Sequence, residues 1–131
     1  MYAVRYYDTP AYWFDITFGK SILFSESFIR EIRFVGNMGF LCWQTLQAYQ
    51  NDAFMAGLKI NLMTARWDLE TDCSGYTGWI GNGDSPLIVR SKLIYKHKGW
   101  RVFGQYQYGI NDYPYHKLRV GLSIDIGLPQ K

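Results

Sequence analysis

Near its C-terminus the chain alternates strictly: Leu118, Val120, Leu122, Ile124 and Ile126 interleave with Lys117, Arg119, Gly121, Ser123 and Asp125. A period of two sends successive side chains to opposite sides of an extended backbone, so this stretch predicts a strand with one apolar and one polar face. The same reading gives extended segments at residues 2–7, 12–23, 29–44, 53–64, 67–79, 87–98, 100–110 and 117–126. The nearest approach to a helical pattern is "SFIREIRFVG", but its β-branched and aromatic residues and its period-two polarity favour a strand.

The connections predict an up-and-down meander. "FSES", "AR" and "KG" alternate along the chain with "DTPA", "TLQAYQND", "IGNGDSP" and "NDYPYH". Alternate loops of a meander emerge at opposite ends, so one end is trimmed and the other elaborated, with "DTPA" the short exception. Bacterial outer-membrane barrels share this asymmetry, with short periplasmic turns and longer outer loops.

Parity sorts the side chains. Phe54, Ala56, Leu58, Ile60 and Leu62 share one face of their segment, with Lys59 and Asn61 opposite. Leu87, Val89, Leu93 and Tyr95 oppose Arg90, Lys92 and Lys96; Val102, Tyr106, Tyr108 and Ile110 oppose Arg101, Gln105 and Gln107. Asp68, Glu70 and Asp72 lie together, opposite Leu69, Cys73 and Trp79. A soluble barrel with its apolar faces inward and a membrane barrel with them outward both fit this alternation.

Three features favour lipid outside. The acids Asp68, Glu70 and Asp72 fall between Lys59 on one side and Arg90, Lys92 and Lys96 on the other. With Arg101 and Arg119 these form a sign-complementary network suited to a narrow polar lumen, where an unpaired charge is costly. Folding about "IGNGDSP" is expected to set Asp72 opposite Lys96. Large aromatics gather towards strand ends: Tyr12, Trp13, Trp43, Trp79 and Tyr108 at the long-loop end, Trp67, Tyr95 and Trp100 at the other. Such belts match the interfacial girdles of membrane barrels. On the apolar face the central strands carry almost no charge; Lys20, near the short-turn end, is the exception.

The third feature is a resemblance. Arg119, Gly121, Ile124 and Ile126 in the last segment resemble the C-terminal assembly signal of Gram-negative outer-membrane β-barrel proteins, a polar residue, a glycine and alternating apolar residues. "GLPQK" follows, where many members end on Phe or Trp. The resemblance implies two partners, the lipid bilayer and the barrel-assembly machinery. "WRVFGQYQYGINDYPYHKLRVG" is also weakly similar to the closing strands of outer-membrane phospholipase A, but that family's His-x-Ser motif does not occur here, so no active site carries over.

Composition narrows the classes. Of 131 residues 18% are aromatic and 19% charged, which excludes disorder, and a net charge of +3 does not imply nucleic acid. No run approaches the roughly 18 apolar residues of a membrane helix. Cys42 and Cys73 stand 31 residues apart without ligand neighbours and are expected as two thiols. His97, His116, Ser74 and Asp72 are the candidate nucleophilic set, and parity directs the histidines away from the other two. Asp68, Glu70 and Asp72, in line on one strand face, are expected to be compensated by bases rather than to hold a cation. No catalytic, cofactor-binding or metal-ligating residue is therefore expected.

A spanning strand needs about 9–11 tilted residues, and residues 2–7 supply only six. The expectation is an all-β, antiparallel up-and-down transmembrane barrel with about eight strands present, one domain, and the C-terminal part of a larger barrel. A complete eight-stranded barrel is the alternative. Its role would be structural, channel-like or interactive; the sequence gives no oligomeric state. The rivals are an outer-membrane lipid hydrolase with its site further N-terminal and a soluble, lipocalin-like binder.

Overall fold

The structure is a computed structural model and describes residues 11–44, 50–78, 85–112 and 114–124. These form seven strands: β1 Ala11–Leu23, β2 Ile29–Gln44, β3 Gln50–Thr64, β4 Trp67–Gly78, β5 Leu87–His97, β6 Trp100–Asn111 and β7 His116–Ile124. They join antiparallel, in chain order, into one sheet. Among the described residues there is no helix. The expected segment at residues 2–7, Trp79 and Ile126 lie outside the described residues.

The short turns follow from local chemistry. Lys98 and Gly99, at φ 36° and 85°, connect β5 to β6. Two positive φ values are what a two-residue hairpin turn of type I′ demands, and glycine supplies one without steric cost. Between β3 and β4 the Thr64 hydroxyl accepts from the Trp67 amide at 2.9 Å and donates to its carbonyl at 2.8 Å. That exchange closes the chain around residues 65–66 and aligns Thr64 with Trp67.

Towards the middle of the sheet the polar face is the more sheltered one. Along β3, Phe54, Ala56, Leu58 and Ile60 are exposed, whereas Met55, Gly57 and Lys59 are half-buried and Asn61 is buried. Leu118, Val120 and Leu122 on β7 are 74%, 75% and 61% exposed. A single cavity of about 460 Å³ touches Thr17 of β1, Asn37 of β2, Lys59 of β3, Asp72 of β4, Arg90 of β5 and Gln105 of β6. The sheet is therefore rolled, with the polar face concave and the apolar face convex. No large side chain among the described residues is fully buried.

Of the about eight up-and-down strands expected, seven stand among the described residues, and the sheet they form is not closed. β1 and β7 are its two edges and pair only with β2 and β6. They do not pair with each other, and in an antiparallel series the first and seventh strands run in the same direction.

Glycines let phenyl rings lie flat on the sheet. The Phe103 ring lies across Gly121, its cross-strand partner, on the concave face. Phe18 covers Gly36 in the same way on the convex face, with a ring carbon 2.8 Å from where a Cβ would stand. Over Gly104 nothing lies within 4 Å of that position. Gly121→Leu should therefore cost about 1–3 kcal/mol through overpacking against Phe103, while Gly104→Ala should be close to neutral. Urea or thermal unfolding of the two variants side by side checks the contrast.

Candidate functional site: the charged concave face

The concave face is built from the odd residues of β1–β3, the even residues of β4 and β5, and the odd residues of β6 and β7. Register sets one row across it: Arg33, Asn61, Glu70, Lys92, Gln105 and Arg119 are successive cross-strand partners from β2 to β7. A parallel row runs Lys59, Asp72, Arg90, Gln107, Lys117. All three acids of the expected network stand on β4, and bases flank them on both sides.

Each acid has a cation. Lys59 Nζ lies 3.1 Å from Glu70 Oε2, a diagonal pair one row apart. Arg90 brings Nη2 to 2.8 Å and Nε to 2.9 Å of Asp72 Oδ2. Lys96 Nζ lies 2.7 Å from Asp68 Oδ1 and donates to the Thr64 carbonyl at 3.1 Å. The expectation of Asp72 opposite Lys96 is thus corrected: Asp72 faces Arg90. That register also sets Trp67 beside Tyr95, Leu69 beside Leu93 and Cys73 beside Val89 on the convex face. Apolar pairing and ion pairing are satisfied by the same alignment.

The remaining bases are arranged differently. Lys92 sits 4.7 Å above the centre of the Phe103 ring, a cation–π contact. Arg119 and Arg101 are exposed on β7 and β6, and Arg101 is not without a partner. β5, β6 and β7 contain bases but no Asp or Glu, so this half of the concave face is positive.

The cavity is lined by Lys59, Glu70, Asp72, Ser74, Arg90 and Lys92, among others. The buried Ser74 Oγ and Asn61 Oδ1 have no protein hydrogen-bond partner. A polar space of this size accommodates ordered water, which satisfies such groups with two to four hydrogen bonds each. The arrangement suits hydration and charge pairing.

The other candidates are dispersed. His97 and His116 are exposed on the convex face, where His97 packs between Tyr95 and Trp100 and His116 stacks on Tyr108 at 4.9 Å. Ser74 and Asp72 are on the concave face, so the described residues form no Ser-His-Asp assembly. Cys42 is buried and Cys73 half-buried, both as free thiols. Of the assembly-signal residues, Arg119 has concave parity, Gly121 lies under Phe103 and Ile124 ends β7 on the convex face.

Aromatics cluster at both ends of the convex face. Phe14, Phe40 and Phe54 form a chain of ring contacts at 5.4 and 5.7 Å across β1–β3. Trp67, Tyr95 and Trp100 do so near the short turns at 4.7 and 5.8 Å. Trp13, expected near the long-loop end with Tyr12 and Tyr108, lies near the start of β1 and has the parity of Asp15 and Thr17. Phe103 was missed among the concave residues because an apolar residue in a polar row breaks the alternation; the glycine opposite it was the available signal.

At the long-loop end Asn111 donates to the Ser85 carbonyl at 2.7 Å, and the Ser85 amide donates to Asp112. These bonds tie the connection before β5 to the one after β6. The chain matches no protein-family model, and no curated protein or solved structure is found to be similar to it.

The best-aligned pair gives a test. Asp72→Asn should lower stability by about 1 kcal/mol, the scale of a partly exposed ion pair. Pairing it with Arg90→Gln should cost less than the sum of the two single changes. Unfolding midpoints of the four proteins in a double-mutant cycle measure the coupling.

Proposed function

We propose that the chain forms the wall of an integral outer-membrane β-barrel of structural, channel-like or interaction role. In this reading lipid covers the convex face, the ion pairs line the lumen, and further strand closes the sheet between β7 and β1. The observation that carries it is the exposure of Leu118, Val120 and Leu122 beside half-buried Lys59, Lys92 and Arg90. Water-soluble proteins seldom expose a contiguous apolar patch of this extent, and lipid is a solvent that stabilises one.

Three further points support the reading. All seven strands have nine or more residues, the roughly 9–11 that a tilted spanning strand needs. Aromatic clusters sit at both ends of the convex face, the arrangement an interfacial girdle requires. The likeness of Arg119, Gly121 and Ile124 to an assembly signal makes the barrel-assembly machinery the expected partner, and the outer membrane of a Gram-negative bacterium the expected location. A lipocalin-like binder would need the same convex residues enclosed.

The test is folding into vesicles or detergent micelles, read as a heat-modifiable band on a gel. The wild-type chain should give that band and should be insoluble without detergent. Val120→Arg should weaken folding into vesicles by about 2–4 kcal/mol if Val120 lies near the bilayer midplane, whereas Arg119→Gln should not. A detergent-free monomer that binds a fluorescent fatty acid overturns the proposal.

A further inference from the structure

The convex face is not uniform. Where Phe18 covers Gly36, the face is filled; over Gly104 it is open. Gly104 pairs with Leu93 of β5 and Val120 of β7, and its missing side chain leaves a notch in an otherwise continuous apolar surface. The notch widens towards the short turns into a groove of about 360 Å³ walled by Trp67, Leu93, Tyr95, Trp100 and Val102. That volume falls within the roughly 300–1,000 Å³ of small-molecule sites.

The walls hold one another in place. Trp67 and Tyr95 are cross-strand partners with ring centres 4.7 Å apart, and Trp100 meets Tyr95 edge-on at 5.8 Å. Such pairs add about 0.5–1.5 kcal/mol beyond the area they bury, so the groove is set before anything enters it.

Charge marks its outer end. Arg66 directly precedes Trp67, and Lys98 lies in the turn two residues before Trp100; both are exposed. Their nearest acid in sequence, Asp68, belongs to the concave face and is held there by Lys96. Two exposed cations beyond an apolar groove complement a molecule with a hydrocarbon tail and an anionic head.

We propose that this groove is a defined binding site for an anionic phospholipid. One acyl chain lies in the notch over Gly104, between Trp67, Tyr95 and Trp100, and the phosphate meets Arg66 and Lys98. The site rests on the outer-membrane reading above and adds to it a preferred lipid at a fixed place on the wall.

Native mass spectrometry of the folded chain released from detergent micelles tests the site, with phosphatidylglycerol or phosphatidylcholine as the added probe. The wild-type chain should retain phosphatidylglycerol in preference to phosphatidylcholine. A Lys or Arg near a membrane surface contributes about 1 kcal/mol to binding anionic lipid, so Arg66→Gln and Lys98→Asn should each lower phosphatidylglycerol retention about fivefold. Gly104→Leu, which fills the notch, should lower retention of both lipids, and Leu58→Val, elsewhere on the convex face, should change neither. Equal retention of the two lipids by the wild-type chain overturns the site, as does undiminished retention by Gly104→Leu or by the two charge variants. The heat-modifiable band, run on the same samples, keeps the readings apart: its presence without lipid preference sinks the site alone, and its absence in the wild-type chain sinks the barrel reading with it.

Discussion

A single β-sheet has two faces, and a stable domain must take at least one of them out of water. Here the sheet has no second layer among the described residues, and the face it curls around is the polar one. The hydrophobic effect, the dominant favourable term in folding, therefore has no dry interior to act on. What the chain does have is a near-continuous cross-strand ladder over six strand pairs. In water that ladder competes with solvent for every hydrogen bond; in hydrocarbon there is no competitor, and each bond is obligatory. The placement of aromatics, charges and glycines follows from that inside-out arrangement.

β4 organises the concave face. It contributes Asp68, Glu70 and Asp72, and its neighbours answer with Lys59, Arg90 and Lys96 at 2.7–3.1 Å. None of these pairs is deeply buried, so their value is specificity of alignment more than raw stability. A slip of one residue between β4 and β5 would turn Asp72 and Arg90 to opposite faces and bring Leu69 onto the concave side. The ion pairs and the Trp67–Tyr95 contact thus enforce one register from the two sides of the sheet.

Much of this was legible in the sequence because its signal is local. β2 runs over the residues that the alternation marked, and the other strand bounds differ from the reading by at most three residues. The face assignments of Lys59, Asp68, Glu70, Asp72, Arg90, Lys92 and Lys96 follow from parity alone. The register between strands was not legible: it depends on where the turn centre falls within residues 79–86, and sequence alternation repeats every two residues without marking an origin. Asp72 was therefore matched to Lys96, six residues from its partner Arg90. Phe103 escaped for a different reason, since it is an apolar side chain in a polar row. Phe103 is accommodated by the absent side chain of Gly121 on the next strand, a relation that no single-strand pattern contains.

The equal heading of β1 and β7 has an arithmetic consequence. Joined directly, these two edges would make a parallel seam in an otherwise antiparallel wall, with slanted and slightly weaker bonds. Inserting a whole hairpin between them leaves the mismatch in place, because two more strands preserve the odd total. Any odd number of added strands resolves it, one strand in the simplest case. A lone strand that seals the wall must therefore run against both β1 and β7, and a longer insertion must begin and end on strands that do so.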